Sequence, residues 1–247
     1  MQLPLPRWFA HRGGGSLAPE NTLAGIRLAA RLGYRAVEFD VMLSGDGTPV
    51  LIHDETLERT TSGFGPVSET PDSVLFSLDA GLGEPIPRFA EAAALCRELG
   101  LLANVEIKPA TGFEAQTAER VALLTAALWQ GAAVPPLISS FSLTALEIAR
   151  DLAPSISRGL LYEAVPADWY SELRRLQAVS LHCDVVVLND AVLAEAVAAS
   201  IPVLGYTVNC QETAKLLFAR GVSSLFTDRL DLFAAETNAY KGLHLAG

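Results

Sequence analysis

Two histidines and two acids near the N-terminus combine proton transfer with cation binding at a regular spacing. His11 stands in Ala10-His11-Arg12-Gly13 and His53 in Leu51-Ile52-His53-Asp54, with Glu38 and Asp40 on alternate residues between them. Each follows a short apolar stretch of strand character. Side chains alternate along a strand, so Glu38 and Asp40 share one face. Glu106, in Asn104-Val105-Glu106-Ile107-Lys108-Pro109, ends another such stretch. Neighbouring strands lie roughly 5 Å apart, so three carboxylates from adjacent strand ends would converge and repel one another. A divalent cation resolves that repulsion, and Mg²⁺ or Ca²⁺ suits all-carboxylate ligation better than zinc does. The alternative is that one or two of the acids make structural ion pairs with Arg12 or Lys108. Two histidines beside one metal suit general acid–base catalysis near neutral pH. Arg12 and Lys108 are the cations that would grip a phosphate, one with paired hydrogen bonds and one as a point charge. Gly13-Gly14-Gly15 lets backbone approach a ligand closely. His182 also ends an apolar run, where it either lines a pocket or simply packs; His244, in the tail, reads as solvated.

These residues need elements to position them. Strand-like runs cover residues 8–11, 36–43, 102–108, 137–141, 157–162, 178–183, 202–208 and 223–227. Helical spacing covers 22–32, 89–99, 113–129, 143–152, 169–176, 190–199, 211–219 and 230–240. Eight strands alternating with helices predict a (β/α)₈ TIM barrel, and the length agrees with the roughly 250 residues of that fold. One run, 48–53, is left over. Only Ser44-Gly45-Asp46-Gly47 separates it from the second strand, too little for a parallel crossover, so it must fold back as a hairpin. Counting outward from the turn pairs Val41 with Leu51 and Asp40 with Ile52, which returns His53 to the level of the acids. Residues 54–87 are rich in Gly, Ser, Thr, Pro and acids and do not continue the alternation. They form an expected insertion after the hairpin, on the active-site side, able to make a small lid or wall within a single domain spanning 1–247.

Half of the residues are hydrophobic, enough for a sizeable core, and the net charge is -10. That acidity argues against nucleic acid or a stable membrane association, both of which reward clustered Lys and Arg. Cys96, Cys183 and Cys210 are odd in number and lack metal-site spacing, which suits free thiols and a cytoplasmic location. The first residues carry no charged region followed by a long apolar run, so no leader is expected.

In these motifs the chain resembles the glycerophosphodiester phosphodiesterase family. The matching stretches are His11-Arg12-Gly13, Pro19-Glu20-Asn21-Thr22, Glu38-Phe39-Asp40, His53-Asp54, Leu57-Glu58-Arg59-Thr60, Glu106-Ile107-Lys108-Pro109, Ser139-Ser140-Phe141, Tyr206-Thr207-Val208-Asn209 and Thr227-Asp228. They run in order over almost the whole chain and look closest to the cytoplasmic bacterial members. The resemblance implies a barrel shared with phosphatidylinositol phospholipase C. It also implies hydrolysis of glycerophosphodiesters, such as glycerophosphocholine or glycerophosphoethanolamine, to glycerol 3-phosphate and an alcohol. Glu38, Asp40 and Glu106 would bind one divalent ion, and His11 and His53 would be the acid–base pair. Arg12 and Lys108 would hold phosphate, Glu20 and Asn21 would brace the loop after the first strand, and Phe141, His182 and Tyr206 would line the substrate side. Residues 77–87 are shorter than in relatives, which predicts a more open pocket wall. Attack by the neighbouring glycerol hydroxyl, through a cyclic phosphate, competes with direct attack by an activated water. Two competing functions are weighed. A phosphodiesterase for lysophospholipids or phosphoinositides would need an apolar, membrane-facing rim. A non-catalytic binding module would have lost a ligand or a histidine, and none is lost.

Overall fold

A computed structural model describes residues 5–239, with side chains through 234; Tyr240, at the end of the expected last helix, and His244 lie outside these residues. The parallel strands are β1 (Trp8–Ala10), β2 (Ala36–Leu43), β4 (Leu102–Ile107), β5 (Leu137–Ser140), β6 (Ser157–Tyr162), β7 (Ser180–Asp184), β8 (Val203–Tyr206) and β9 (Ser224–Thr227). They pair in chain order, and β1 bonds both β9 and β2, so the sheet closes into the expected eight-stranded barrel. The antiparallel strand β3 (Pro49–Leu51) hangs on the end of β2 with Val41 opposite Leu51, and the Ile52 amide donates to the Asp40 carbonyl. Counting residues across a four-residue turn had required that register. The helices between the strands are α1 (Leu23–Arg31), α3 (Phe89–Leu99), α4 (Glu114–Leu128), α5 (Leu143–Leu152), α6 (Trp169–Arg175), α7 (Asp190–Ala198) and α8 (Gln211–Arg220), with α9 (Leu230–Ala239) after the last strand.

All eight residues of β2 are buried, as parallel strands covered on both faces must be. The alternation divides them. Val37, Phe39 and Val41 face the helical shell, whose apolar residues form the main core. Ala36 faces inward and joins Phe9, Leu102, Leu137, Leu204 and Phe226 in an apolar plug at the barrel floor. Phe9 and Phe226 meet there with ring centroids 4.9 Å apart. The next inward layer on the same strands is polar, and it holds the chemistry. No described helix is long and apolar enough to cross a membrane, and Cys96, Cys183 and Cys210 are free thiols.

The 54–87 segment contains a 3₁₀ turn, Val67–Glu69, and a short helix, α2 (Asp72–Leu75). It also has a core of its own, in which Leu57, Val67, Leu75, Ala80 and Ile86 pack on Met42, Val50 and Ile52 of the hairpin. The Asp72 carboxylate accepts from Ser44 Oγ and Thr48 Oγ1, both at 2.6 Å, so the insertion also grips the hairpin turn. Neither short helix was legible, because these apolar residues fall at irregular intervals among polar ones.

Candidate active site

Strand register gathers the acids. Asp40 on β2 pairs with Glu106 on β4, and Glu38 lies two residues earlier on the same inward face. One carboxylate oxygen from each lies within 4.8 Å of the others, in a group that could hold a metal ion. The side chains are sealed in, with Glu38, Asp40 and Glu106 only 3%, 2% and 8% exposed. Three buried carboxylates cannot all ionise without a counter-charge. Burial, then repulsion from Asp40, pushes Glu106 up to about 8. Burial, then Asp40 and Glu106, raises Glu38 well above its ordinary value. Burial would raise Asp40 too, but Lys108, His53 and Arg12 outweigh it and hold this carboxyl below its ordinary range. Ion pairs alone do not satisfy the group. Lys108 Nζ stands 3.4 Å from Asp40 and 3.6 Å from Glu106, yet Glu38 Oε1 and Glu106 Oε1 are buried with no hydrogen-bond partner. Two orphaned carboxylate oxygens converging beside a third carboxylate fit a hard, oxygen-seeking divalent cation.

The loop after β1 wraps the group from one side. Arg12 adopts a left-handed backbone (φ 50°) that aims its amide at Glu38 Oε2, 2.9 Å away. Its guanidinium meets Glu20 at 3.0 Å and lies 3.8 Å from Asp40. Asn21, also left-handed at φ 56°, clamps Asp40 twice. Its amide donates to Asp40 Oδ2 (2.9 Å) and its carbonyl accepts from the Asp40 backbone (3.1 Å). Glu20 and Asn21 are therefore placed behind the arginine and the central acid.

Each histidine is backed by an aspartate. His11 Nδ1 is 2.7 Å from Asp228 Oδ1, and its Nε2 is 3.8 Å from Glu38. Asp228 is held by Asn209, whose amide donates to Oδ2 (3.0 Å) and whose carbonyl accepts from the Asp228 backbone (2.8 Å). Burial would raise the Asp228 pKa, but the bonds from His11 and Asn209 hold it below its ordinary value. His53 Nδ1 lies 2.5 Å from Asp54 Oδ1. Asp54 accepts from Arg59 Nε at 2.5 Å, and Arg59 makes two 2.8 Å bonds to Glu20. The Arg59 bonds, aided by His53, hold Asp54 far below its ordinary pKa. Burial lowers the pKa of His53. An ionised carboxylate only accepts hydrogen bonds, so each Nδ1 carries a proton and the aspartate engages neither Nε2.

These groups open into one cavity of about 620 Å³, shared with Phe141, His182 and Tyr206. Phe141 is 40% exposed and meets Tyr206 edge-on, 6.2 Å between centroids, and Tyr206 Oη donates to the Tyr162 carbonyl. His182 is 1% exposed on the floor, with Nε2 2.9 Å from Ser180 Oγ. It both packs and lines the cavity. No lining residue comes from 54–87. That segment stands behind His53 and reaches the rim through Asp54 and Arg59, while β6 and β7 supply the far wall. Asp54, Arg59, Asn209 and Asp228 were visible only as parts of motifs, without a role. For Asp228 a signal existed: barrel closure puts the residue after the last strand beside the residue after the first. Asn104, one inward layer below Glu106, carried no such signal.

Residues 11–232 match the model of the Glycerophosphoryl diester phosphodiesterase family. A Glycerophosphodiester phosphodiesterase of Caldanaerobacter subterraneus subsp. tengcongensis is 32% identical over 89% of this chain and 93% of its own. An Oleispira antarctica phosphodiesterase, solved in complex with the product sn-glycerol-3-phosphate, superposes with a TM-score of 0.88 at 36% identity, over 95% of this chain and 97% of that one. A glycerophosphodiester phosphodiesterase from Agrobacterium tumefaciens gives 0.75 at 28% identity, over 94% and 100%.

Proposed function

The chain belongs to the glycerophosphoryl diester phosphodiesterase family and is an enzyme of that activity, and on that premise we propose how its residues carry out the reaction. The substrate is a small glycerophosphodiester, and the products are sn-glycerol 3-phosphate and an alcohol. The observation that carries the reading is two aspartate-backed histidines presenting Nε2 to a cavity that also holds three buried carboxylates and two cations.

Glu38, Asp40 and Glu106 would hold one divalent cation, Mg²⁺ or Ca²⁺. Bound there, it supplies Lewis-acid stabilisation of the charge that builds on the phosphoryl oxygens. Arg12 and Lys108 bind the phosphate, the first as a planar fork and the second as a point charge. One histidine takes the proton of the glycerol hydroxyl next to the phosphoester as that oxygen attacks phosphorus. The other donates a proton to the departing alcohol oxygen as its bond to phosphorus breaks. Water then opens the cyclic phosphate with the two roles exchanged. Asp228 and Asp54 fix the tautomers that make this exchange available. Glu20 and Asn21 position Arg12 and Asp40. Phe141, His182 and Tyr206 line the substrate side.

The test is a coupled assay for glycerol 3-phosphate release. Release that disappears in EDTA and returns with excess Mg²⁺ or Ca²⁺ is the expected result. Undiminished release in EDTA would remove the metal from the mechanism. Complete absence of a cyclic glycerol phosphate under single-turnover conditions would replace hydroxyl attack by water attack.

A further inference from the structure

The cavity is electrically divided. Arg12 and Lys108 stand at the carboxylate trio, whereas Glu163, just past the end of β6, and Asp184, the last residue of β7, line the opposite side. Neither Glu163 nor Asp184 forms an ion pair among the described residues. Asp184 pairs with Tyr206 across β7 and β8, and Tyr206 meets Phe141 edge-on, so two aromatic rings stand beside the acids. The Tyr206 ring is fixed, because its hydroxyl is tied to the Tyr162 carbonyl at 2.8 Å. Burial, then the charges of Asp184, Cys183, Glu106 and Glu163, drives its hydroxyl pKa upward.

A second observation points to a ligand at this end. His182 lies two residues before Asp184 on the same inward face of β7, 1% exposed. Its Nε2 is occupied by Ser180, but its Nδ1 is buried without a hydrogen-bond partner, and the ring lines the cavity. On β6, Gly159 lies opposite Ser180, and a Cβ there would collide with the His182 ring, so the barrel leaves out a side chain to seat this imidazole. Burial holds the ring's pKa down to about 3, so at neutral pH it carries no charge to repel a cation.

We propose that Glu163, Asp184, Phe141 and Tyr206, over the His182 floor, form a subsite that selects diesters whose alcohol carries an alkylammonium group. The inference rests on the phosphodiesterase reading and adds a preference among its substrates. The alcohol belongs at this end because Glu163 and Phe141 are exposed and form the open mouth, through which the leaving group departs. A zwitterion then matches the cavity end to end. Its phosphate lies between Arg12 and Lys108, and its ammonium lies between carboxylates and against aromatic faces, where cation–π attraction adds to ion pairing.

The experiment measures kcat/KM for glycerophosphoethanolamine, glycerophosphocholine and glycerophosphoglycerol, the last having the same glycerol but an uncharged alcohol. The wild type should favour the two cationic substrates by about tenfold, and in Glu163→Gln/Asp184→Asn that ratio should collapse by about tenfold through KM. Phe141→Ala should weaken glycerophosphocholine more than glycerophosphoethanolamine. Glu163→Gln alone alters only an exposed side chain and should shift the ratio in the same direction, which separates selection from misfolding. An unchanged ratio would overturn the subsite, as would an equal loss on all three substrates, which would assign the acids to the glycerol. A wild type that releases glycerol 3-phosphate without preferring cationic alcohols would overturn this inference and leave the parent reading intact. Absence of release from all three would overturn both.

Discussion

The two histidine–aspartate pairs have the same inner geometry and opposite support. His11 and Asp228 are 217 residues apart in the chain and are joined by barrel closure. Asp228 is held by a neutral amide, Asn209, in the loop after β8. His53 and Asp54 are consecutive, sit at the end of a hairpin, and are held by a charged bridge from Asp54 through Arg59 to Glu20 and Arg12. One pair is built into the scaffold, and the other is braced by surface-facing ions. The same histidine–aspartate geometry thus rests on two supports of different charge.

The largest effect tests whether the pairs are equivalent in chemistry. His11→Ala and His53→Ala should each lower kcat on the order of 10²-fold or more, measured as glycerol 3-phosphate release. Near-normal turnover by either variant would end the symmetric assignment. Next come the partners. Asp228→Asn and Asp54→Asn should each cost on the order of tenfold in kcat, because an amide can donate to Nδ1 and favour the wrong tautomer. The double variant Asp54→Asn/Arg59→Ala should lose no more than Asp54→Asn alone, because Arg59 reaches His53 only through Asp54; a further drop instead would show that Arg59 acts on the substrate. A smaller difference separates the supports themselves. Arg59→Ala should lower kcat by about threefold and remove its dependence on ionic strength, because a partly exposed ion pair is screened. Asn209→Ala should leave that dependence in place. Equal salt responses in the two variants would erase the distinction drawn between the supports.

The third described histidine, which unlike the other two is buried, sharpens the contrast through stability. His182 has no carboxylate partner, and burial lowers its pKa from 6.5 to about 3. The unfolded chain therefore binds a proton that the folded chain refuses. The stability this neutral ring contributes is complete above pH 6.5 and is lost progressively as pH falls toward 3. Urea midpoints measured between those limits should fall less steeply in His182→Leu than in the wild type. Identical slopes would mean that His182 is hydrated or paired at low pH.

Much of this was legible because it follows from local rules. Alternation put Glu38 and Asp40 on one face, and turn length fixed the β3 register and returned His53 to the rim. Glu106 followed from counting strands. What escaped required knowledge of closure or of side-chain direction. Asp228 becomes a partner of His11 only when β1 pairs with β9, and Arg59 becomes the brace of Asp54 only once the insertion has folded onto the hairpin. The insertion core was hidden because Leu57, Val67, Leu75 and Ile86 follow neither a helical nor a strand period. The Asn21 clamp was partly visible as a motif, but its two-sided grip on Asp40 depends on a left-handed backbone that sequence alone does not assign.

The seam between the first and last strands has a consequence for how the molecule comes to life during synthesis. Ser16 bonds the Asp228 carbonyl through both its amide (2.8 Å) and its hydroxyl (3.0 Å), and a Cβ at Gly15 would collide with that same carbonyl. The trio, both histidines, Arg12 and Lys108 all emerge from the ribosome in the first half of the chain. Asp228, the partner of His11, emerges long after them, and only a glycine at position 15 leaves room for its carbonyl. A nascent chain therefore carries every residue proposed to touch phosphate, and His53 with its aspartate, while His11 still lacks its partner. Under the two-histidine reading, full turnover waits for β9 to pair with β1, which makes it a readout of completed barrel closure.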